Sequence, residues 1–154
     1  MRLTVHAVVG KVPPWVTAGS EDYQRRLPRE LRLRWRDVPL ARRGAGAAQR
    51  AAEEGERLLR GVSERDRVIA LDPGGEDWRT EELAGQLRAW QMSGRSVAFL
   101  VGGPEGLSST CLARAERCWS LGRLTLPHAL VRVILVEQLY RAWTILAKHP
   151  YHRG

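Results

Sequence analysis

The chain has 154 residues, of which 44% are hydrophobic and 27% are charged, a composition typical of one soluble globular domain. This balance excludes an intrinsically disordered, collagen-like or disulfide-scaffold protein. The net charge of +8 suggests a polyanionic partner, because arginine and lysine side chains contact phosphates. We therefore expect a single domain over residues 1–154 that binds a polyanion.

The first predicted elements are a strand, a loop and a short helix. Alternating apolar residues over 3–9 predict a strand that ends near Gly10. Two prolines predict a loop over residues 11–15, because proline cannot donate to a strand ladder. Ser20 is expected to be the N-cap of a helix that extends to Leu27.

The next predicted strand has one apolar face and one cationic face. Leu31, Leu33 and Trp35 alternate with arginines, which we expect to face solvent or ligand. Residues 25–43, here called the arginine patch, carry eight arginines against two acids. Phosphate contact and a solvated strand face explain this patch about equally well. Its arginines are Arg25, Arg26, Arg29, Arg32, Arg34, Arg36, Arg42 and Arg43.

The middle of the chain predicts a parallel sheet. Two continuous apolar runs, 68–71 and 97–101, flank a helix that Thr80 is expected to cap and that extends to Met92. Continuous apolar strands that alternate with helices are typical of an α/β domain whose sheet is covered on both faces. The other predicted elements are a basic loop over 39–46, a helix over 47–60, a helix over 109–118, an extended segment over 119–124 and a loop over 125–128.

The last predicted helix, over residues 129–147, is apolar on almost every side. Its three charged residues indicate a buried helix and not a membrane span. One sheet cannot cover all faces of this helix, so we expect a homodimer. Glu137 and Arg141 form a favourable pair one turn apart. Arg132 lies in the first turn, where the helix dipole disfavours a cation, so we expect an anionic group beside it.

Cysteine content and the N-terminus indicate a cytoplasmic protein. The first residues have neither the apolar stretch nor the cleavage site of a signal peptide. Cys111 and Cys118 fall in one predicted helix, two turns apart, which separates them by about 10 Å and prevents a disulfide. His149 and His152 have the spacing of metal ligands, but no further cluster completes a zinc site. We therefore expect reduced thiols, no metal and no membrane association.

Both central strands are followed by glycine-rich loops, at 71–75 and 102–106. Ligands of open α/β sheets bind at the carboxyl ends of strands, so the two loops could face one pocket. Neither loop matches the dinucleotide fingerprint or the P-loop, and turn-forming glycines explain them at least as well. The polar and aromatic tail over 149–154 favours a substrate-facing role that adds nothing to the core, although chain ends often fray.

Six segments, in order, carry a more specific signal: Leu100–Leu107, Trp119–Leu121, Leu124–His128, Leu130–Val133, Leu139–Trp143 and His149–Arg153. Together they closely resemble the ribosomal large subunit methyltransferase H family of the SPOUT superfamily. The resemblance extends from end to end of the chain. It implies a dimeric α/β domain with a parallel sheet flanked by helices and a C-terminal trefoil knot. The implied activity is transfer of a methyl group from S-adenosylmethionine to N3 of a pseudouridine in 23S rRNA, on assembled ribosomes.

The resemblance also implies the site residues. The S-adenosylmethionine pocket would be formed by Leu71, Gly102, Leu121, Gly122, Arg123, Leu124, Thr125 and Leu126, with main-chain contacts at Gly122 and Arg123. The N3 proton of the pseudouridine needs an acceptor, for which His128, Tyr151 and His152 are candidates. Arg132 and Arg153 are candidates for stabilising the imide anion or a phosphate.

A non-catalytic ribosome- or RNA-binding protein that uses the arginine patch is the alternative from another functional class. S-adenosylmethionine binding distinguishes the two hypotheses.

Overall fold

The computed structural model describes residues 1–42, 44 and 46–153. The strands are β1 (Leu3–Val8), β2 (Leu33–Val38), β3 (Arg67–Asp77), β4 (Val97–Val101) and β5 (Arg117–Ser120). The helices are α1 (Pro14–Arg26), α2 (Ala47–Leu59), α3 (Thr80–Ser93), α4 (Ser109–Arg114) and α5 (His128–Leu146). The strands form one sheet in the order β2-β1-β4-β3-β5, and every neighbouring pair is parallel.

Apolar side chains lie on both faces of this sheet, which confirms the predicted α/β class. On one face, Phe99 of β4 belongs to a large cluster with Trp90 of α3 and Leu135 of α5. On the other face, Leu100 packs in a smaller cluster with Leu58 of α2. Successive residues of one strand therefore serve opposite layers, which explains why β4 is apolar without interruption.

Helix α1 begins at Pro14, so the predicted loop over 11–15 and the predicted N-cap Ser20 are both wrong. Proline fits the first helical turn because the missing N–H has no intrahelical partner there. Ser20 is buried within the helix.

The predicted cap of α3 is also one residue off. Arg79 is the N-cap residue, and its backbone N–H donates to Glu82 Oε2 at 2.8 Å. The hydroxyl of Thr80 instead donates to Gln138 Oε1 of α5 at 2.9 Å. A tertiary hydrogen bond therefore uses the group that the sequence pattern assigned to the cap.

The helix predicted over 109–118 is wrong in its second half. Helix α4 ends at Arg114, and the N–H of Glu116 donates to the carbonyl oxygen of Val68 at 2.8 Å. Cys118 consequently lies in β5, and the helical spacing predicted for the two cysteines does not occur. Both thiols are free, as predicted.

Helix α5 is the long apolar helix of the prediction and packs between α1 and α3. Among the described residues, no helix combines the length and hydrophobicity that crossing a bilayer requires. The trefoil knot stays a prediction.

Strand β1 carries a buried histidine in the interior of the sheet. His6 is 2% exposed, and its Nδ1 atom has no hydrogen-bond partner among the described residues. Burial, followed by the charge of Arg36, lowers the pKa of His6 from 6.5 to about 4. The ring is therefore neutral in the folded protein at neutral pH.

We expect this histidine to make the fold acid-sensitive. Between pH 6.5 and 4 the unfolded chain binds a proton on His6 that the folded chain does not, so stability falls as the pH falls through this window. At pH 5 this effect should lower the free energy of unfolding by about 2 kcal/mol relative to neutral pH. Urea unfolding at pH 7 and pH 5 should show a smaller pH effect in His6→Gln than in wild type. An equal effect in both proteins would contradict the assignment.

Candidate functional site

A cleft of about 750 Å³ opens at the carboxyl ends of β3, β4 and β5. The loops that follow β4 and β5 form two walls, and the extended end of β3 forms a third. His128 and Val131, in the first turns of α5, close another side. The two glycine-rich loops therefore face one pocket, because parallel strands bring their carboxyl ends to one edge of the sheet.

The structure brings together all the residues predicted for the cofactor site. Leu71 lies in β3 immediately before the residues that bulge from its pairing with β5, and Gly102 directly follows β4. The connection from β5 to α5 supplies the rest of the set, which is Leu121, Gly122, Arg123, Leu124, Thr125 and Leu126.

Close backbone approach explains the glycine at position 102. A Cβ atom added there would stand 2.6 Å from the carbonyl carbon of Gly106, a distance that real Cβ atoms essentially never adopt. The turn is closed by the N–H of Gly106, which donates to the carbonyl oxygen of Gly103 at 2.9 Å. Gly106 itself has a φ of 78°, in the left-handed region that favours glycine. The shape of this wall is thus set by its main chain.

Sequence reasoning missed several residues of the cleft, including three carboxylates. Asp72 and Asp77 line it from the extended end of β3, and Glu105 lines it from the loop after β4. Asp72 and Glu105 lie in the glycine-rich loops and could have been found by position. Asp77 could not, because β3 was predicted to end at Leu71. The acidic groups favour a ligand that carries positive charge.

A smaller cavity of about 240 Å³ adjoins the cleft and shares His128 and Pro104 with it. Its other walls are mainly apolar and come from Leu40, from Val8 at the end of β1 and from residues 9–13, which follow this strand. His128 Nε2 lies 3.1 Å from the carbonyl oxygen of Val8. Because a carbonyl oxygen only accepts, Nε2 is the donor in this contact, and Nδ1 is the ring nitrogen that remains able to accept.

Arg132 lines the smaller cavity, but its charge is already compensated. Its Nη1 atom donates to Asp37 Oδ1 at 2.7 Å, and its guanidinium carbon lies 4.2 Å from the centre of the Trp35 ring. Only 10% of the side chain is exposed. Asp37, in β2, is thus the anionic group that the sequence analysis expected beside Arg132.

The C-terminal tail folds back onto the middle of α5. Tyr151 packs its ring edge-on against Tyr140, with 4.7 Å between ring centres, and its hydroxyl donates to Glu137 Oε1 at 3.1 Å. The expectation that the tail adds nothing to the core is therefore wrong. Two residues of α5 hold the Tyr151 side chain. The Tyr140 ring gives it a packing surface, and the Glu137 carboxylate accepts its hydrogen bond.

The environment of Tyr151 makes it a hydrogen-bond donor. Burial raises the pKa of Tyr151, with further increases from its hydrogen bond to Tyr23 and from the charge of Glu137. The phenol therefore keeps its proton at neutral pH. Tyr151 is therefore a weaker candidate for the proton acceptor than His128 and His152.

His152 is held between two helices. Its Nδ1 atom lies 3.3 Å from Arg141 Nη1, and its Nε2 atom lies 3.2 Å from Glu81 Oε1 of α3. Arg153 is exposed. Among the described residues that line the cleft, Tyr151, His152 and Arg153 are absent. The five predicted catalytic residues are thus not brought together within one chain.

The arginine patch divides into engaged and exposed side chains. Arg36 turns back to α2, where Nη1 donates to the carbonyl oxygen of Arg57 at 2.9 Å, so the prediction that it faces solvent or ligand is wrong. This contact satisfies a carbonyl group at the end of a helix. Arg32 and Arg34 are exposed as predicted. Arg25 and Arg26 both pair with Asp22, and Arg43 lies outside the described residues.

Within the described part of the chain, no group of three or more His, Cys, Asp or Glu residues is arranged to hold a metal ion.

The family model and the curated proteins that match this chain all describe methyltransferases. A family model described as predicted SPOUT methyltransferase matches residues 1–152. Three curated proteins described as ribosomal RNA large subunit methyltransferase H are similar to 99% of this chain. The one from Hahella chejuensis is 50% identical and covered over 99% of its length. Those from Marinomonas sp. and Methylococcus capsulatus are 46% and 50% identical, and each is covered over its full length.

Loss of Asp37 should destabilise the fold more than loss of an exposed carboxylate, because Asp37 is the ionic partner of the buried Arg132. Asp37→Ala leaves a buried guanidinium without its ionic partner, and we expect it to lower the free energy of unfolding by about 1–3 kcal/mol. Asp22→Ala removes the exposed partner of Arg25 and Arg26 and should cost less than about 1 kcal/mol. Urea unfolding of both variants measures the difference. Equal losses would show that the Arg132 pair is no stronger than a surface pair.

Proposed function

We propose a specific reaction for this chain, which belongs to the SPOUT methyltransferase family and is a methyltransferase of the ribosomal RNA large subunit methyltransferase H type. The proposed reaction transfers a methyl group from S-adenosylmethionine to N3 of a pseudouridine in 23S rRNA of assembled ribosomes. The observation that best supports it is the single cleft around Leu71, Gly102 and residues 121–126. A ribosomal substrate would place the protein in the cytoplasm.

The cleft suits S-adenosylmethionine in size, charge and shape. Its volume lies within the range of small-molecule sites, roughly 300–1,000 Å³. Asp72 and Asp77 oppose the positive charges of a sulfonium and an ammonium group, whereas Glu105 is already paired with Arg50, and the apolar lining suits an adenine ring. Gly102 and Gly103 present main chain without side chains to a ligand. When bound, the donor supplies an electrophilic methyl group on sulfur.

His128 is the proposed acceptor of the N3 proton. It lies at the boundary between the cleft and the smaller cavity, and its Nε2–H bond to Val8 leaves Nδ1 as the ring atom that can accept a proton. We place the target base in the smaller cavity. There N3 would face the donor at the boundary with the cleft, beside His128. Removal of the proton would leave an electron pair on N3 for the new bond to the methyl carbon, and the donor would leave as a neutral thioether with the electrons of the broken carbon–sulfur bond. Geometry of this kind is the main catalytic contribution that methyl transfer requires.

The remaining predicted residues act on the RNA in this proposal. Arg153 is exposed and available to a phosphate, while Tyr151 and His152 anchor the tail on α5. Arg132 is held by Asp37 at the rim of the smaller cavity, where it positions this wall and adds no unpaired charge.

A homodimer and a single domain complete the proposal. Val133, Ile134, Trp143 and Ile145 of α5 are only half-buried, and Trp15 at the start of α1 is 55% exposed. A second copy of the chain would cover these apolar groups. The family match over 1–152 supports one domain over 1–154.

Methylation of ribosomes in vitro tests the reaction. We expect purified wild-type protein to add one methyl group to a pseudouridine of 23S rRNA, detected by nucleoside mass spectrometry.

Gly102→Ala should weaken S-adenosylmethionine binding at least about 10-fold in calorimetry, because its Cβ collides with the main chain at Gly106. Gly85→Ala, whose Cβ meets open space, is the matched control. A wild-type protein that binds ribosomes but not the donor would favour the non-catalytic alternative.

The role of His128 predicts a loss confined to chemistry. Glutamine can still donate to the Val8 carbonyl but lacks a basic nitrogen, so His128→Gln should slow single-turnover methyl transfer by about 100-fold or more. Donor affinity should change little. His149→Gln, an exposed histidine outside the cleft lining, is the control. An unaltered rate in His128→Gln would remove this residue from the mechanism.

The exposed arginines of the patch predict a salt effect. Each phosphate contact to single-stranded RNA contributes about 0.7 to the slope of log K against log salt. Arg32→Gln combined with Arg34→Gln should therefore flatten the slope for ribosome binding while donor affinity is unchanged. The charge-matched control combines Arg65→Gln and Arg88→Gln, which lie on other elements and are exposed. The same slope in both double variants would show that Arg32 and Arg34 lie on a solvated strand face and do not contact phosphate.

A further inference from the structure

Helix α2 buries a carboxylate that the proposed reaction does not use. Glu54 is 3% exposed. Its Oε2 atom accepts a hydrogen bond from the N–H of Ala41 at 3.0 Å, whereas Oε1 is buried with no hydrogen-bond partner among the described residues. Burial of an incompletely paired carboxylate is costly, and an apolar side chain would serve packing alone better.

Glu54 stands directly behind one wall of the cleft. A Cβ atom added to Gly103 would lie 2.9 Å from Glu54 Oε1 and 3.1 Å from Val8 Cγ1. Gly103 belongs to the 102–106 loop, which lines the cleft. The two oxygens of one carboxylate therefore contact different loops, with Oε2 on the 39–42 segment and Oε1 against the cleft wall.

Neighbouring side chains of α2 contact the same two loops. Arg50 Nε donates to Glu105 Oε1 of the cleft wall at 3.1 Å. Arg57 Nη1 donates to the carbonyl oxygen of Pro39 at 3.0 Å. Positions 50, 54 and 57 share one face of the helix because they are four and three residues apart. This face joins the cleft wall to the segment that follows β2.

We propose that Glu54 is a positioning residue that fixes the 102–106 wall of the cleft and couples it to the 39–42 segment of the arginine patch. The inference rests on the proposed function, because it takes S-adenosylmethionine as the ligand of the cleft. Donor binding at the cleft wall and RNA binding at the exposed Arg42 would each restrain a segment that Glu54 contacts, so the second ligand binds to segments that the first has already ordered. By linkage, each ligand then strengthens the binding of the other.

Three variants separate this role from a purely structural one. Glu54→Ala should weaken S-adenosylmethionine binding about 10-fold in calorimetry, because it releases the Ala41 N–H and leaves a gap behind Gly103. Glu54→Gln keeps an acceptor for that N–H and a similar volume, so it should bind within about 3-fold of wild type. Glu56→Ala, an exposed acid on the same helix, should bind like wild type. Circular dichroism confirms that each variant is folded at the temperature of measurement.

Hydrogen exchange in the wild-type protein gives a second test that needs no substitution. Ala41 lies outside the cleft lining, yet its N–H is bonded to Glu54. Saturation with S-adenosylmethionine should therefore slow exchange of the Ala41 amide at least about 3-fold. The amide of Asp66, which is bonded to the Ser63 carbonyl oxygen in a distant turn, serves as the internal control and should not change.

The outcomes distinguish the inference from the proposed function. If wild-type protein does not bind S-adenosylmethionine, the proposed function fails and takes the inference with it. If wild type binds the donor and a folded Glu54→Ala binds equally well, the inference alone is overturned. An Ala41 amide that is unaffected by the donor overturns the coupling. A loss in Glu54→Gln as large as in Glu54→Ala overturns the role assigned to the Ala41 hydrogen bond.

Discussion

Parallel pairing of β3, β4 and β5 is the constraint on which the site depends. It brings three strand ends to one edge of the sheet, so loops that are far apart in sequence meet around one cleft. The irregular pairing of β3 with β5 adds to this effect. Their register shifts between Leu71 and Glu76, and the residues in between leave the ladder to form a wall. A regular ladder would have held Asp72 in the sheet.

Charge in this protein is divided between structural and accessible groups. Arg36 and Arg57 are committed to backbone carbonyls, and Arg132 is committed to Asp37 and Trp35. These contacts anchor β2, the segment after it and the first turns of α5 around the smaller cavity. A net charge of +8 therefore overstates the positive surface that a polyanion can reach. The exposed side chains of Arg29, Arg32, Arg34 and Arg42 are the part of the patch that a phosphate can reach.

The smaller cavity and the tail illustrate how local chemistry is set by packing. His128 owes its tautomer to the carbonyl group of Val8, which is presented by the end of β1. Tyr151 owes its raised pKa to burial, to its hydrogen bond with Tyr23 and to the charge of Glu137. Neither property belongs to the residue type alone. Two side chains that the sequence analysis treated as equivalent candidates are an acceptor and a donor in the folded chain.

The parallel α/β class could be predicted from the amino-acid pattern alone, because uninterrupted apolar runs such as 97–101 require cover on both faces of a sheet. The motif resemblance also selected Leu71, Gly102 and residues 121–126, all of which line the cleft, but it left out the carboxylates Asp72, Asp77 and Glu105. The folded chain was needed to show that Cys118 lies in a strand and which groups engage Arg36, Arg132 and Tyr151. These outcomes depend on partners distant in the chain, such as Val68 for Glu116 and Asp37 for Arg132. Local propensity carries no information about such partners, so only the folded chain shows them.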